Sequence, residues 1–363
     1  VTQSPHPVSQ VDTEIAEFLA SREPILAAIA DELAAFTNFS RYLLSGGKRF
    51  RARFCIAGWQ ATSTAADPGE ERAVLTLSAA LEIFHAAALV HDDIIDNSDT
   101  RRGMPSAHIR FASLHGEAGF AGRADAFGRA SAILHGDLLL GWSDELVDAA
   151  LDLLSDRGSA RATRSEFNRM RTEVTVGQYL DILEENAWPT VPDSDTIRRA
   201  ERVMTFKSAK YSVEAPLVLG ALVGGASAAQ VDSLRRFGLP LGLAFQLRDD
   251  VLGVFGDAAV TGKPTGDDLR EGKRTVLVAL ARQGMRDSQR AAFDDALGRP
   301  DLDEAAIVDL QEQISASGAL ESAERSISSY TDEALGALRS AELDAAAVSE
   351  LEELARLLTD RSA

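Results

Sequence analysis

Apolar residues recur along this chain at helical spacing, three and four apart, over long stretches with few interruptions. β-Branched runs are scarce and Asn-Gly turns are absent, so the chain reads as almost wholly helical. The pattern predicts a helix from Asp12 to about Phe36, a loop at Gly46-Gly47, and a helix carrying Arg51, Phe54, Ile56 and Trp59. A long apolar helix runs from Glu70 to about Asp96, and similar helices follow over about 130–155, 161–185, 195–223 and 228–255. Beyond Leu302 the pattern turns acidic and amphipathic, with Leu310, Ile314, Leu320, Ile327, Leu335 and Leu338 marking helices of the outer packing. Residues 1–11 read as a disordered tail. Prolines and glycines fall singly between the helices and no Pro/Ser/Gly linker divides the middle. Residues 12–363 are therefore predicted to form one all-α domain.

Composition changes this picture mainly by limiting partners. Lys and Arg number 37 against 56 Asp and Glu, a formal net charge of -19 that repels nucleic acid and anionic membrane. The one cysteine, Cys55, excludes an internal disulfide framework and a Cys-rich zinc site. No apolar run approaches the roughly 20 residues of a membrane span, and the first residues lack the shape of a signal peptide. The expectation is a cytoplasmic enzyme or binding protein with neither a nucleic-acid partner nor a transmembrane segment.

The most informative stretch is Leu89-Val90-His91-Asp92-Asp93-Ile94-Ile95-Asp96. On a helix Asp92 and Asp96 lie one turn apart on one face, where like charges cost roughly 0.2–0.5 kcal/mol. The helix C-terminus disfavours anions, and the apolar helix leading to them makes ionisation costlier still. Three penalties on one cluster call for a cation. A second cluster, Arg248-Asp249-Asp250, follows another apolar stretch, and the two are expected to face each other across a cavity. Hard carboxylate oxygens shared with a substrate phosphate are what Mg²⁺ prefers.

Against this acidic background the basic residues gather in four places. These are Gly46-Gly47-Lys48-Arg49-Phe50-Arg51, Thr100-Arg101-Arg102-Gly103, Lys207-Ser208-Ala209-Lys210, and Lys263 with Lys273-Arg274 after the second acid cluster. A glycine loop opening a helix, with Lys48 and Arg51 on one face, suits phosphate oxygens. It is not a nucleotide P-loop, since the leading glycine and the Ser/Thr after the lysine are missing. Acids for Mg²⁺, bases for phosphate and apolar helices between them together specify a hydrocarbon diphosphate.

With these residues assembled, the chain resembles the trans-type isoprenyl diphosphate synthases of the polyprenyl synthetase family, most of all the bacterial geranylgeranyl type. Asp92-Asp93-Ile94-Ile95-Asp96 matches the family's first aspartate-rich motif, DDxxD, followed by Arg101-Arg102-Gly103. Gly46-Gly47-Lys48-Arg49-Phe50-Arg51, Gly177-Gln178-Tyr179-Leu180-Asp181, Lys207-Ser208-Ala209 and Phe245-Gln246-Leu247-Arg248-Asp249-Asp250 match in order. One departure stands out: the second aspartate-rich segment ends in Gly253 where the family carries a third aspartate.

The resemblance implies an all-helical fold around a deep central cavity, a homodimer, and three Mg²⁺ ions held by Asp92, Asp96 and Asp249, with Asp93 and Asp250 as supporting acids. Arg101, Lys207 and Lys263 would clamp an allylic diphosphate (dimethylallyl, geranyl or farnesyl). Gly47, Lys48, Arg51, His85 and Arg102 would hold isopentenyl diphosphate, and Lys273 would add a further substrate contact. Ser208, Gln246 and a backbone carbonyl near Lys207 would stabilise an allylic carbocation. Small residues at Ala87 and Ala88, with Phe84 about 12 Å from Asp92 along the helix, point to a C20 product, with C15 and longer chains as alternatives. A class I terpene cyclase would not need Lys48 and Arg51. A metal-dependent phosphohydrolase built on His91-Asp92 would need more histidines, and a regulatory subunit would be expected to lose its aspartates.

Overall fold

The computed structural model describes residues 7–63, 67–101, 103–257, 265–299, 301–339 and 341–359. Two compact units emerge: residues 1–164 with 219–226, and residues 165–218 with 227–363.

The first unit is built on α4 (Pro68–Ile95), which packs along α6 (Ala124–Asp152) and against α1 (Pro7–Ala27) and α3 (Phe50–Thr62). Asp67 caps α4 by accepting from the Gly69 amide at 2.7 Å, and Pro68 occupies the first helical position, where its missing N–H costs nothing. Its core face, from Ala73 and Val74 through Leu77, Leu81 and Ile83 to Val90, is buried. At the far end Arg129 donates to the Ile94 carbonyl at 3.2 Å and to Asn97 at 2.7 Å, placing a cation at the negative end of the helix dipole. One 18-residue window of α4 has a mean hydropathy of 1.9, so the expectation that no apolar run is long enough to span a membrane is corrected. That window is 78% buried in protein, which makes it a core helix.

Other expectations shift in detail. Instead of one helix over 12–36, α1 ends at Ala27, a short 3₁₀ turn covers Asp31–Leu33, and α2 spans Ala34–Leu43. The break sits at Ala30, whose backbone is extended, in an alanine-rich stretch that carries no Gly or Pro to mark it. The helix also starts inside the predicted tail, at Pro7. A two-residue hairpin, β1 (Thr100–Arg101) with β2 (Met104–Pro105), and α5 (Ala107–Glu117) occupy a stretch to which the pattern assigned no element.

The second unit comprises the rest of α7 (Arg157–Ala187), α8 (Thr196–Val203), a π-helical segment Met204–Glu214 that runs into the start of α9 (Ala215–Val223), whose residues from 219 on belong to the first unit, and α10 (Ala228–Phe255). Then come α11 (Asp267–Glu271), α12 (Val276–Gly284), α13 (Asp287–Ala296), α14 (Glu304–Ala316), α15 (Ala319–Arg339) and α16 (Ala345–Thr359). A Ser227–Gln230 capping box starts α10, which packs against α15 and the π segment. Two glycines make that packing close. A Cβ at Gly242 would lie 2.5 Å from the Ala209 carbonyl oxygen, and one at Gly177 of α7 would lie 2.6 Å from the Phe206 carbonyl carbon. Only glycine lets both helices meet the backbone of the π segment at van der Waals distance.

Candidate active site

In the first unit, α4 presents one half-buried stripe, His85, Ala88, Leu89, Asp92 and Asp96, at helical spacing. Phe84, Ala86, Ala87 and Val90 are turned into the core. Asp96 forms the C-cap of α4, its amide bonding the Asp92 carbonyl at 2.8 Å, so the acids do sit where the helix dipole repels them. The β1–β2 hairpin supplies the answering charge. Arg101 Nε donates to Asp93 Oδ1 at 2.8 Å, and its Nη2 reaches both Asp93 and, at 3.4 Å, Asp92. The Asp93 side chain is only 2% exposed, so this pairing is what makes its burial tolerable.

His91 faces the other way, against Gly136 of α6, with Nε2 3.3 Å from the Ile133 carbonyl and 3.4 Å from Asp137. The His91-Asp92 pair therefore does not work as a unit. The glycine loop turns through Gly47 in left-handed backbone (φ +94°), and α3 begins only at Phe50. Lys48 thus precedes the helix instead of sharing a helical face with Arg51, as the spacing had suggested. Between them Arg49 is 7% exposed and points inward to Asp12 at 3.0 Å and Glu82 at 3.4 Å, a strut that the motif alone does not reveal.

In the second unit, Asp249 and Asp250 lie on α10 five or six residues before its end. Burial, followed by repulsion from Asp268, Asp249 and Asp181, pushes the Asp250 carboxyl up to about 8, although Gln246 Nε2 donates to it at 2.8 Å. Arg248 is turned away and grips Glu324 of α15 with both nitrogens, at 2.6 and 2.7 Å. Lys207, on the π segment, pairs with Asp181 of α7 at 2.5 Å. Ser208 beside it is half-buried. Lys273 pairs with Glu271 at 2.5 Å and lies 3.9 Å from Asp268. Asp181 and Asp268 are the acids that sequence reasoning left without a role. The first stood in a matched motif, whereas the second carried no signal. Arg102 and Lys263 lie outside the described residues.

Both clusters offer the hard oxygen donors Mg²⁺ prefers, and the crowding on Asp250 is what a divalent cation would relieve. Among the described residues no three such side chains are already gathered into a metal cage. Mg²⁺ in sites of this kind completes its octahedron with substrate phosphate and water.

The chain is similar to known proteins over most of its length. A crystal structure of geranylgeranyl pyrophosphate synthase from Corynebacterium glutamicum, complexed with isoprenyl diphosphate and magnesium, superposes with a TM-score of 0.90 at 37% identity, covering 98% of each chain. The geranylgeranyl diphosphate synthase of Methanosarcina mazei is 32% identical over 272 residues, 72% of this chain and 74% of that one. The farnesyl diphosphate synthase of Geobacillus stearothermophilus is 33% identical over 288 residues, 76% of this chain and 85% of that one. The polyprenyl synthetase family model matches residues 34–314, from the start of α2 into α14. A match of that extent, carried by acids and bases at the family's motif positions, makes this chain a member of the polyprenyl synthetase family.

Proposed function

We propose that this chain joins isopentenyl diphosphate head-to-tail (1′–4) to an allylic diphosphate and releases geranylgeranyl diphosphate, working as a homodimer. The observation that carries the reading is the stripe on α4, on which Asp92 and Asp96 share an accessible face with His85 and Ala88 while Arg101 braces the acids from behind. Asp92, Asp96 and Asp249 are the residues that would hold Mg²⁺, with Asp93 and Asp250 supporting them. Bound there, Mg²⁺ neutralises the charge that develops on a departing pyrophosphate.

The chain's own residues do the rest. Arg101, Lys207 and Lys263 orient the allylic diphosphate. Isopentenyl diphosphate rests on Gly47, Lys48, Arg51, His85 and Arg102, and Lys273 adds positive charge. The leaving diphosphate takes the electron pair of its C–O bond, and the alkene of isopentenyl diphosphate attacks the allylic carbon. The proton lost afterwards passes to the released pyrophosphate. Ser208 and Gln246 offer oxygen dipoles to the carbocation, and apolar side chains keep water from it.

The C20 assignment rests on the small Ala88 on the stripe and on Phe84 one turn deeper, buried at 4% exposure. A farnesyl product is the second reading, favoured by a relative of that name with equal likeness. Incubation with Mg²⁺, isopentenyl diphosphate and C5, C10 or C15 primers, with chromatography of the dephosphorylated products, decides. Accumulation of C20 from every primer is the expected result. A stop at C15 replaces the product assignment, and a folded chain that condenses nothing points to a regulatory subunit.

A further inference from the structure

The glycine loop contains a residue in a backbone state that its side chain does not favour. Arg49 lies in the left-handed region (φ +50°) although it carries a Cβ, shortly after Gly46 (φ +70°) and Gly47 (φ +94°) have turned the same way. A left-handed non-glycine residue persists where its surroundings over-determine it, and here they do. The Arg49 guanidinium reaches three parts of the first unit: Asp12 on α1 at 3.0 Å, the Leu44 carbonyl at the end of α2, and Glu82 on α4 at 3.4 Å. The side chains of Arg49 and Glu82 are each 6% exposed. Glu82 has a second task. Its other carboxylate oxygen accepts from the Ala52 amide at 3.1 Å, so an orphan N–H in the first turn of α3 is capped from α4. Arg49, at the N-cap position itself, makes no side-chain cap.

This knot joins the pieces that carry the proposed isopentenyl diphosphate contacts. Lys48 precedes Arg49 in the loop, Arg51 follows in the first turn of α3, and His85 lies one turn beyond Glu82 on α4. The bond to Leu44 closes the neck of the loop, and the two Glu82 bonds fix the start of α3 against α4. We infer that the Arg49–Glu82 pair is a positioning device for isopentenyl diphosphate, holding Lys48, Arg51 and His85 at one spacing and acting through them. The inference rests on the proposed function and deepens it. Its bland competitor is a buried ion pair that only stabilises the first unit.

The test separates the two substrates on the full chain, by steady-state assays with Mg²⁺ and by calorimetric binding of isopentenyl diphosphate. Glu82→Gln keeps an oxygen for the Ala52 amide and removes the charge that faces Arg49. It is expected to raise KM and Kd for isopentenyl diphosphate about tenfold, with kcat and the allylic KM within about twofold of wild type. Asp12→Asn disturbs the same guanidinium from its half-exposed side and is expected to raise the isopentenyl diphosphate constants about threefold; it decides the matter if Glu82→Gln does not fold. Glu14→Gln is the control for stability alone. Glu14 bonds Arg72 at 2.8 Å and Thr76 at 3.3 Å, both on α4, so its loss should lower the melting temperature and leave every Michaelis constant in place. Isopentenyl diphosphate constants that do not move, or that move no more than the allylic KM, overturn the inference while the proposed function stands. A wild-type chain that neither binds nor condenses isopentenyl diphosphate overturns both.

Discussion

The two aspartate segments look alike as text, Asp92-Asp93-Ile94-Ile95-Asp96 and Asp249-Asp250-Val251-Leu252-Gly253, yet they are balanced in opposite ways. In the first, the buried acid, Asp93, is held by Arg101 from the adjoining hairpin, and Arg129 covers the helix end. In the second, the buried acid, Asp250, has an amide for a partner and other carboxylates for neighbours, and it keeps its proton up to about 8. Arg248, two residues before it, is committed to Glu324. The two segments are thus balanced differently: the first pairs its buried acid with a guanidinium, and the second holds its buried acid among other carboxylates.

The largest effect that would test this contrast is on turnover. Asp92→Ala and Asp249→Ala should each lower the condensation rate at least about a hundredfold in steady-state assays, on the scale of losing one electrostatic contact to a transition state. If only one of them does so, the two segments do not share the chemistry.

A middling effect concerns acidity. The Asp250 carboxyl ionises near 3.8 when unfolded and near 8 when folded, so between those values the folded chain holds a proton that the unfolded chain has released. Metal-free stability contributed there should fall as pH rises from about 4 to about 8, and Asp250→Asn should flatten the decline, by some 2–4 °C in melting temperature per kcal/mol at most. The first unit carries the opposite trend. Burial drives His135, bonded to Ser40 at 2.8 Å, down to about 4. Its contribution is full above 6.5 and fades as pH falls toward 4. Hydrogen exchange read separately for residues of each unit should show protection moving in opposite directions with pH. Parallel movement would contradict the assignment of these two groups.

The smallest effect is on product. Ala88→Phe, on the open stripe of α4, should shorten the chain by one or two C5 units with little change in stability, and Phe84→Ala should lengthen it, both read by chromatography. An unaltered product from both variants would detach α4 from length control.

Much of this was legible in the sequence because the informative residues are neighbours on one helix. Asp92, Asp96 and His85 obey a spacing rule, and a spacing rule survives folding. The stretch over 195–223 was readable as helix but not as a π turn, since the winding is set by what packs on either side. The inward turn of Arg49 depends on partners far along the chain, Asp12 and Glu82, and the break at Ala30 carries no Gly or Pro to mark it. Asp268 was silent because nothing in its local pattern ties it to α10.

The glycine-notched packing around the π segment has a consequence for how this molecule responds to genetic change. Gly177 and Gly242 bear no functional group, yet any side chain there would act as a wedge against the backbone that carries Lys207, Ser208 and Ala209. In a library of random codon changes scored by product formation, these two positions should rank beside the aspartates, and someone mapping such scores without a structure would mistake them for part of the chemistry.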